Sequence, residues 1–333
     1  MALFIGDDYE LLRKRGSGSI ARPEEGCLSG RTVVLQLLSS LLAVAGFAYL
    51  AGCGATNPEQ KGGTVVWQGT TETATLLSGG LQRSYTVYLP KGYQSSKPRP
   101  LLLVFHGAGG TGAGIRGVGL DSWADRLGFI TVYPDAAGGG ARHTWALGCF
   151  QCTWADVQGI DDYRFIRELL DALTQKYSVN RARVAVTGVS LGGSFAFDFA
   201  CHSSDLILGS ALVASLPSPA ELTGCQSGLP ISVMIMNGDQ DPNIPWDGGG
   251  QYNYLSNAAA AEFWAMRDTC PATPVATSLP DLNGDGKLVR LSAYLNCASS
   301  TFVRSYRIEG GGHAWPSGDL DASRVIAETF FGE

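Results

Sequence analysis

Histidine is scarce in this sequence: His106, His143, His202 and His313 are the only four in 333 residues. Chemistry that needs an imidazole base must therefore use one of these positions. Charged residues make up only 16%, and the formal net charge of −6 removes any electrostatic reason to expect a nucleic-acid partner. The chain has no internal repeat, which excludes solenoids and propellers. No second cysteine pair stands at suitable spacing from Cys149-Phe150-Gln151-Cys152, so zinc is not expected there. No insertion is long enough to make a large separate lid.

Hydrophobic residues, at 45%, are ample for a sizeable core. Glycine is abundant, with 44 residues clustered where active-site loops would sit. Residues 1–30 are polar, with a basic cluster at Arg13-Lys14-Arg15. From 32 to 52 the chain is almost wholly apolar and uncharged, as in a signal-peptide core or a single membrane span. It ends in Leu50-Ala51-Gly52-Cys53, which resembles the bacterial lipobox, where the cysteine is lipidated and becomes the mature N-terminus. The expectation is an N-terminal extension and lipoprotein-type signal segment over 1–53, a polar tether over 54–63 and a catalytic domain over 64–333. On that reading the protein is exported, secreted or anchored at the cell envelope, and meets the membrane only through a lipid on Cys53.

Six cysteines remain beyond the leader, enough for three disulfides, which fits export. Counting does not determine connectivity; preferring partners near in sequence pairs Cys149 with Cys152, Cys201 with Cys225 and Cys270 with Cys297.

The domain alternates apolar strands with amphipathic helices. Strands are expected at 64–68, 71–77, 82–89, 101–105, 129–134, 206–214, 231–236 and 302–308, and helices at 121–127, 161–177, 258–267 and 322–331. Segments 275–279 and 288–293 bracket a turn-rich hairpin. This order implies a mainly parallel sheet with helices on both faces.

Between an apolar strand and a helix lies Gly188-Val189-Ser190-Leu191-Gly192, a G-x-S-x-G nucleophile elbow. The serine sits in a strained turn, and side chains two positions before and after it would collide with the neighbouring strand and helix. Serine needs a base, and the base needs an orienting acid. In folds built on this elbow the chain order is serine, acid, histidine. Only His313 follows at the right distance, in the glycine-rich loop 309–316 beyond the last strand. His202 lies on the helix after Ser190 and points elsewhere. The loop after 231–236 offers Asp239, Asp241 and Asp247; position slightly favours Asp241, with Asp239 a live alternative. The oxyanion donors are expected to be the N–H groups of Leu191 and of Ala108, in the loop after 101–105. Trp145, Trp154, Trp246 and Trp315 lie in loops expected to rim the site; Trp145, Trp315 and His106 are the expected substrate contacts. Asp281-Leu282-Asn283-Gly284-Asp285-Gly286 matches the start of an EF-hand loop, but its twelfth position is Ser292, which cannot supply the bidentate ligand. No metal and no cofactor is assigned.

Taken together, Leu102-Leu103-Val104-Phe105-His106-Gly107, Phe129-Ile130-Thr131-Val132-Tyr133-Pro134-Asp135, Gly159-Ile160-Asp161-Asp162-Tyr163-Arg164-Phe165-Ile166, the elbow, Asn237-Gly238-Asp239-Gln240-Asp241-Pro242 and Gly311-Gly312-His313-Ala314-Trp315-Pro316 resemble the secreted α/β-hydrolase esterases. That group joins polyhydroxybutyrate-depolymerase-like proteins with feruloyl and acetylxylan esterases of carbohydrate esterase family 1. The resemblance spans roughly residues 80–320, with the motifs in the family's order. It implies an α/β-hydrolase fold and a triad of Ser190, Asp241 and His313, preferring Asp241 over Asp239. It also supports the Cys201–Cys225 and Cys270–Cys297 pairs. Two positions depart from the pattern: Asn237, where the family usually has His, and Leu191, where a small residue or Asn is common. The implied activity is ester hydrolysis on a polysaccharide-linked feruloyl or acetyl ester. A polyester such as polyhydroxybutyrate is the alternative substrate, and a non-catalytic surface-binding protein on the same fold is the alternative of a different class.

Overall fold

Leu101-Leu102-Leu103-Val104-Phe105 has no polar face, and a strand with no polar face must be covered on both sides. The computed structural model of the chain describes residues 69–149, 152–223, 225 and 228–332. The apolar leader, Cys53, the tether and the strand expected at 64–68 lie outside the described residues. Within them, strand β3 (Arg99–Phe105) sends Leu101, Leu103 and Phe105 into one core cluster and Leu102 and Val104 into another. The continuous apolar run is thus the ordinary two-residue alternation of a strand with an apolar layer on each face.

Before β3 come β1 (Thr70–Ser78) and β2 (Leu81–Leu89); after it come β4 (Ile130–Pro134), β5 (Val179–Val189), β6 (Gly209–Val213) and β7 (Ser232–Gly238). The last three are β8 (Val275–Ser278), β9 (Val289–Tyr294) and β10 (Val303–Ile308). They form one sheet in the order β1-β2-β4-β3-β5-β6-β7-β10-β9-β8. From β4 to β10 every pairing is parallel; β1, β2, β8 and β9 extend the two ends antiparallel. The β8–β9 pair is the expected hairpin.

The helices are α1 (Gly112–Ile115), α2 (Leu120–Leu127), α3 (Trp154–Val157), α4 (Asp162–Lys176), α5 (Leu191–His202), α6 (Asn257–Arg267) and α7 (Ala322–Phe331). Phe165 and Leu169 of α4, Phe195 of α5 and Trp264 of α6 cover one face of the sheet. Ile115, Leu120 and Ala124 from α1 and α2, with Ile326 and Phe330 from α7, cover the other. This is the expected doubly covered, mainly parallel architecture, and none of the described helices is long and apolar enough to cross a membrane. The short helices α1 and α3 fall outside the helices expected from the sequence. Each is started by a threonine cap: Thr111 accepts the Gly114 N–H, and Thr153 forms a capping box with Asp156. Cys149–Cys152, Cys201–Cys225 and Cys270–Cys297 are bonded.

Candidate active site

β5 runs directly into α5, and Ser190 is the turn between them. Its φ of 54° and ψ of −127° place it in a conformation that non-glycine residues rarely adopt. The flanking glycines permit the turn. A Cβ at Gly188 would stand 2.2 Å from the Gly192 carbonyl oxygen, and one at Gly192 would stand 2.3 Å from the Phe105 carbonyl oxygen. The elbow is therefore wedged between its own helix and β3, and the Ser190 N–H is anchored to the Val213 carbonyl at 2.9 Å.

The loop after β10 brings His313 over the serine. Its Nε2 lies 3.0 Å from Ser190 Oγ and its Nδ1 lies 2.7 Å from Asp241 Oδ2. Asp241, in the loop after β7, is buried, and its other oxygen accepts the Asn243 and Ile244 N–H groups at 2.8 and 2.9 Å. Such a carboxylate is held in one orientation and fixes the imidazole facing it. Asp239 does something else: it pairs with Arg307 and accepts the Gly310 N–H at 2.7 Å, bracing the loop that carries His313. Gln240 N–H donates to the Gly311 carbonyl at 2.9 Å, closing the acid loop onto the histidine loop. Asp247 does not reach His313 through any of these bonds. His202, as expected, faces away, with Nε2 3.4 Å from Asp198.

A cavity of about 850 Å³ opens beside Ser190, and Ala108 and Leu191 lie on its wall. Among the described residues neither backbone N–H has a hydrogen-bond acceptor, so both are free for an oxyanion. The remaining wall includes Leu147, Trp154, Val157, Glu221, Tyr252 and Tyr254.

The three expected substrate contacts are elsewhere. Trp145 is fully buried, stacked on Phe195 at 4.9 Å and edge-on to Phe105, with its Nε1–H donated to the His106 carbonyl at 2.9 Å. An indole this apolar belongs in the core once its one N–H finds an acceptor. His106 is also buried. Its Nε2 accepts the Ala136 N–H at 3.1 Å, so the proton sits on Nδ1, which donates to the Gly107 carbonyl at 2.8 Å. Burial holds its pKa down to about 4, so it is neutral at ordinary pH. Trp315 packs against the α7-side core, and its Nε1–H donates to Ser323 Oγ at 3.0 Å. Trp246 lines a separate groove of about 270 Å³ over β8, β9 and β10.

The aromatic wall comes from Trp154 and from Tyr252 and Tyr254. The two tyrosines follow Gly248-Gly249-Gly250, whose positive φ angles of 82°, 85° and 70° turn the chain back toward the cavity. That glycine run is the signal in the sequence that could have located them.

Three groups of side chains have metal-ligating composition among the described residues: His106, Asp135 and His143; Cys149, Cys152 and Asp156; and Asp281, Asp285 and Asp319. In the first, the ring nitrogens of His106 already serve backbone groups, and His143 Nδ1 meets the Gly110 carbonyl. In the second the sulfurs are tied up as a disulfide. In the third the carboxylates accept backbone N–H groups of the 282–287 turn.

The Esterase family profile, described as "Putative esterase", matches residues 78–277. The chain is 29% identical over 275 residues to "Putative esterase NocK" of Nocardia uniformis subsp. tsuyamanensis, covering 75% of each. It is 26% identical over 249 residues to "Feruloyl esterase B" of Piromyces equi, covering 72% of this chain and 44% of that protein. Among solved structures, "Acetyl xylan esterase from Aspergillus awamori" superposes with a TM-score of 0.58 at 15% identity, over 78% of this chain and 99% of that one, which establishes the α/β-hydrolase fold.

Proposed function

The chain belongs to the esterase family and is a carboxylic ester hydrolase; from that premise we propose that it works through Ser190, His313 and Asp241. His313, hydrogen-bonded to Ser190 on one side and to Asp241 on the other, is the observation that carries this reading. Ser190 Oγ attacks the ester carbonyl carbon while His313 Nε2 takes its proton. The carbonyl oxygen becomes an oxyanion held by the Leu191 and Ala108 N–H groups. As the carbonyl re-forms, the C–O bond to the alcohol breaks and His313 returns the proton to the departing oxygen. Water, deprotonated by the same histidine, then releases the acid from Ser190. Asp241 keeps the Nδ1 proton in place and stabilises the imidazolium in between.

The substrate we favour is a feruloyl or acetyl ester on a plant cell-wall polysaccharide. The aromatic wall of Trp154, Tyr252 and Tyr254 supports it, since flat rings stack on such surfaces. Three disulfides support export to an oxidising compartment, and the lipid anchor at Cys53 remains part of the proposal. The experiment is hydrolysis of p-nitrophenyl acetate by wild type and Ser190→Ala. The variant should lose about 10⁴-fold or more in kcat, and retained activity would overturn the mechanism. A panel of methyl ferulate, acetylated xylan and polyhydroxybutyrate then assigns the substrate. Turnover of the polyester alone overturns the polysaccharide reading.

A further inference from the structure

We propose that Glu221 is the residue with which the ester cavity recognises its substrate, donating a hydrogen bond from a protonated carboxyl to an oxygen carried on an aromatic acyl group. The proposal rests on the serine-esterase reading above and deepens it.

Glu221 is part of the cavity wall, and only 4% of it is exposed. Its segment is held against α5 by the Cys201–Cys225 disulfide. The two carboxyl oxygens are treated differently. Oε2 accepts the Ser218 N–H at 2.7 Å and the Ser218 Oγ–H at 2.8 Å. Oε1 has no hydrogen-bond partner among the described residues. The titratable groups that act on Glu221 are Asp198 on α5 and Asp156 on α3, and Tyr254 feels it from the neighbouring wall. None of these is a cation. A buried carboxylate without a cation is costly and keeps its proton instead. Burial accordingly pushes Glu221 up to about 8.

Where that proton sits follows from the hydrogen bonds. Oε2 accepts twice, so the proton is on Oε1, and among the described residues Oε1–H is a donor that lacks an acceptor. Oε1 is also shielded from bulk solvent. In this position it meets neither solvent nor ligand, so it pairs with a substrate oxygen only once the carboxyl has turned into the cavity. The last torsion of a glutamate is soft, so the turn is decided by the two Ser218 bonds that Oε2 gives up against the bond that Oε1–H gains to the arriving oxygen. The same cavity is also lined by the apolar and aromatic side chains of Leu147, Trp154 and Val157. A group that suits both surfaces is an aromatic ring bearing a hydroxyl or methoxyl oxygen. A site built around one buried donor discriminates against a ligand that leaves the donor unpaired.

The test compares two methyl esters. Methyl 3,4-dimethoxycinnamate carries ring oxygens that accept but cannot donate; methyl cinnamate carries none. At neutral pH wild type should favour the first in kcat/KM by about tenfold or more. Glu221→Leu should bring that ratio close to one. Both rates are read on one preparation, so any loss of folded protein cancels from the ratio. Glu221→Gln, which keeps a donor and an acceptor, should hold the preference at every pH, whereas wild type should lose it as pH rises through about 8. A wild-type ratio near one, or a Glu221→Leu ratio equal to that of wild type, overturns the role of Glu221 and leaves ester hydrolysis standing. If Glu221→Leu does not fold, the alkaline comparison decides: parallel wild-type and Glu221→Gln profiles overturn the proposal. Failure of wild type to hydrolyse even p-nitrophenyl acetate overturns both readings.

Discussion

Asp162 takes no part in the ester chemistry, yet replacing it with alanine should be among the most damaging single changes outside the site. It opens α4 and is fully buried. Arg83 of β2, itself 3% exposed, donates to its Oδ1 at 2.5 Å. The other oxygen accepts the Ala146 N–H at 2.8 Å. The Arg83 guanidinium also lies 4.0 Å over the Phe165 ring and donates to the Asp135 carbonyl. One carboxylate thus joins β2, α4 and the 135–147 segment that leads to the cavity wall. Burial pushes the Asp162 carboxyl up, against the pull of Arg83, so the pair is held together at a substantial desolvation cost. Removing only the aspartate leaves a guanidinium buried without its counter-ion, a loss of about 3–5 kcal/mol, and strands the Ala146 N–H as well. For a domain of this size that corresponds to a fall in Tm of roughly 6–20 °C. Urea and thermal unfolding followed by circular dichroism measure both quantities. The double change Arg83→Met with Asp162→Leu removes the orphaned charge and should cost less than Asp162→Ala alone. A single variant within about 1 kcal/mol of wild type, or a double variant worse than the single one, refutes the reasoning.

Two further expectations follow from the buried residues. His106 is held down to about 4 from 6.5, so the folded protein binds fewer protons than the unfolded chain between those values. Its contribution, about 3 kcal/mol, is present above pH 6.5 and lost as pH falls toward 4. His106→Gln should flatten the acid side of a stability-against-pH series, and an unchanged slope would dismiss the assignment. Trp145→Ala should cost about 3–5 kcal/mol of stability, as a core truncation does. Trp154→Ala should instead raise KM for aromatic esters while unfolding near the wild-type midpoint; the reverse pattern would return Trp145 to the cavity.

The sheet is legible in the sequence because its central strands are buried on both faces. Such strands read as unbroken apolar runs, and the observed pairing gives each alternate side chain its own layer. The elbow is legible for a steric reason, since the space at Gly188 and Gly192 admits no Cβ. The short helices α1 and α3 are not legible from periodicity, because four residues make little more than one turn. Their signal is the capping threonine, visible only to a search for caps. The choice between Asp239 and Asp241 is also beyond position alone. Both follow β7 by a few residues, and what separates them is that Arg307 and the Gly310 N–H occupy Asp239.

The tryptophans show why loops resist the same treatment. Trp145 and Trp154 sit in one glycine-rich segment with no repeat to say which way each side chain faces. The direction is decided by distant partners: the His106 carbonyl takes the Trp145 indole N–H, while the Thr153–Asp156 capping box starts the helix that presents Trp154. The scarce histidines then fall into place. His106 and His143 bracket the 107–110 turn: His106 holds the Gly107 carbonyl, His143 Nδ1 holds the Gly110 carbonyl, and the His143 carbonyl accepts the Gly109 N–H. Ala108 sits at the centre of that brace, and among the described residues its own N–H has no acceptor. His106 and Trp145, expected as substrate contacts, act on the ester only through the backbone they hold. A change at either should reach the reaction through the position of one N–H, and so through kcat more than through KM.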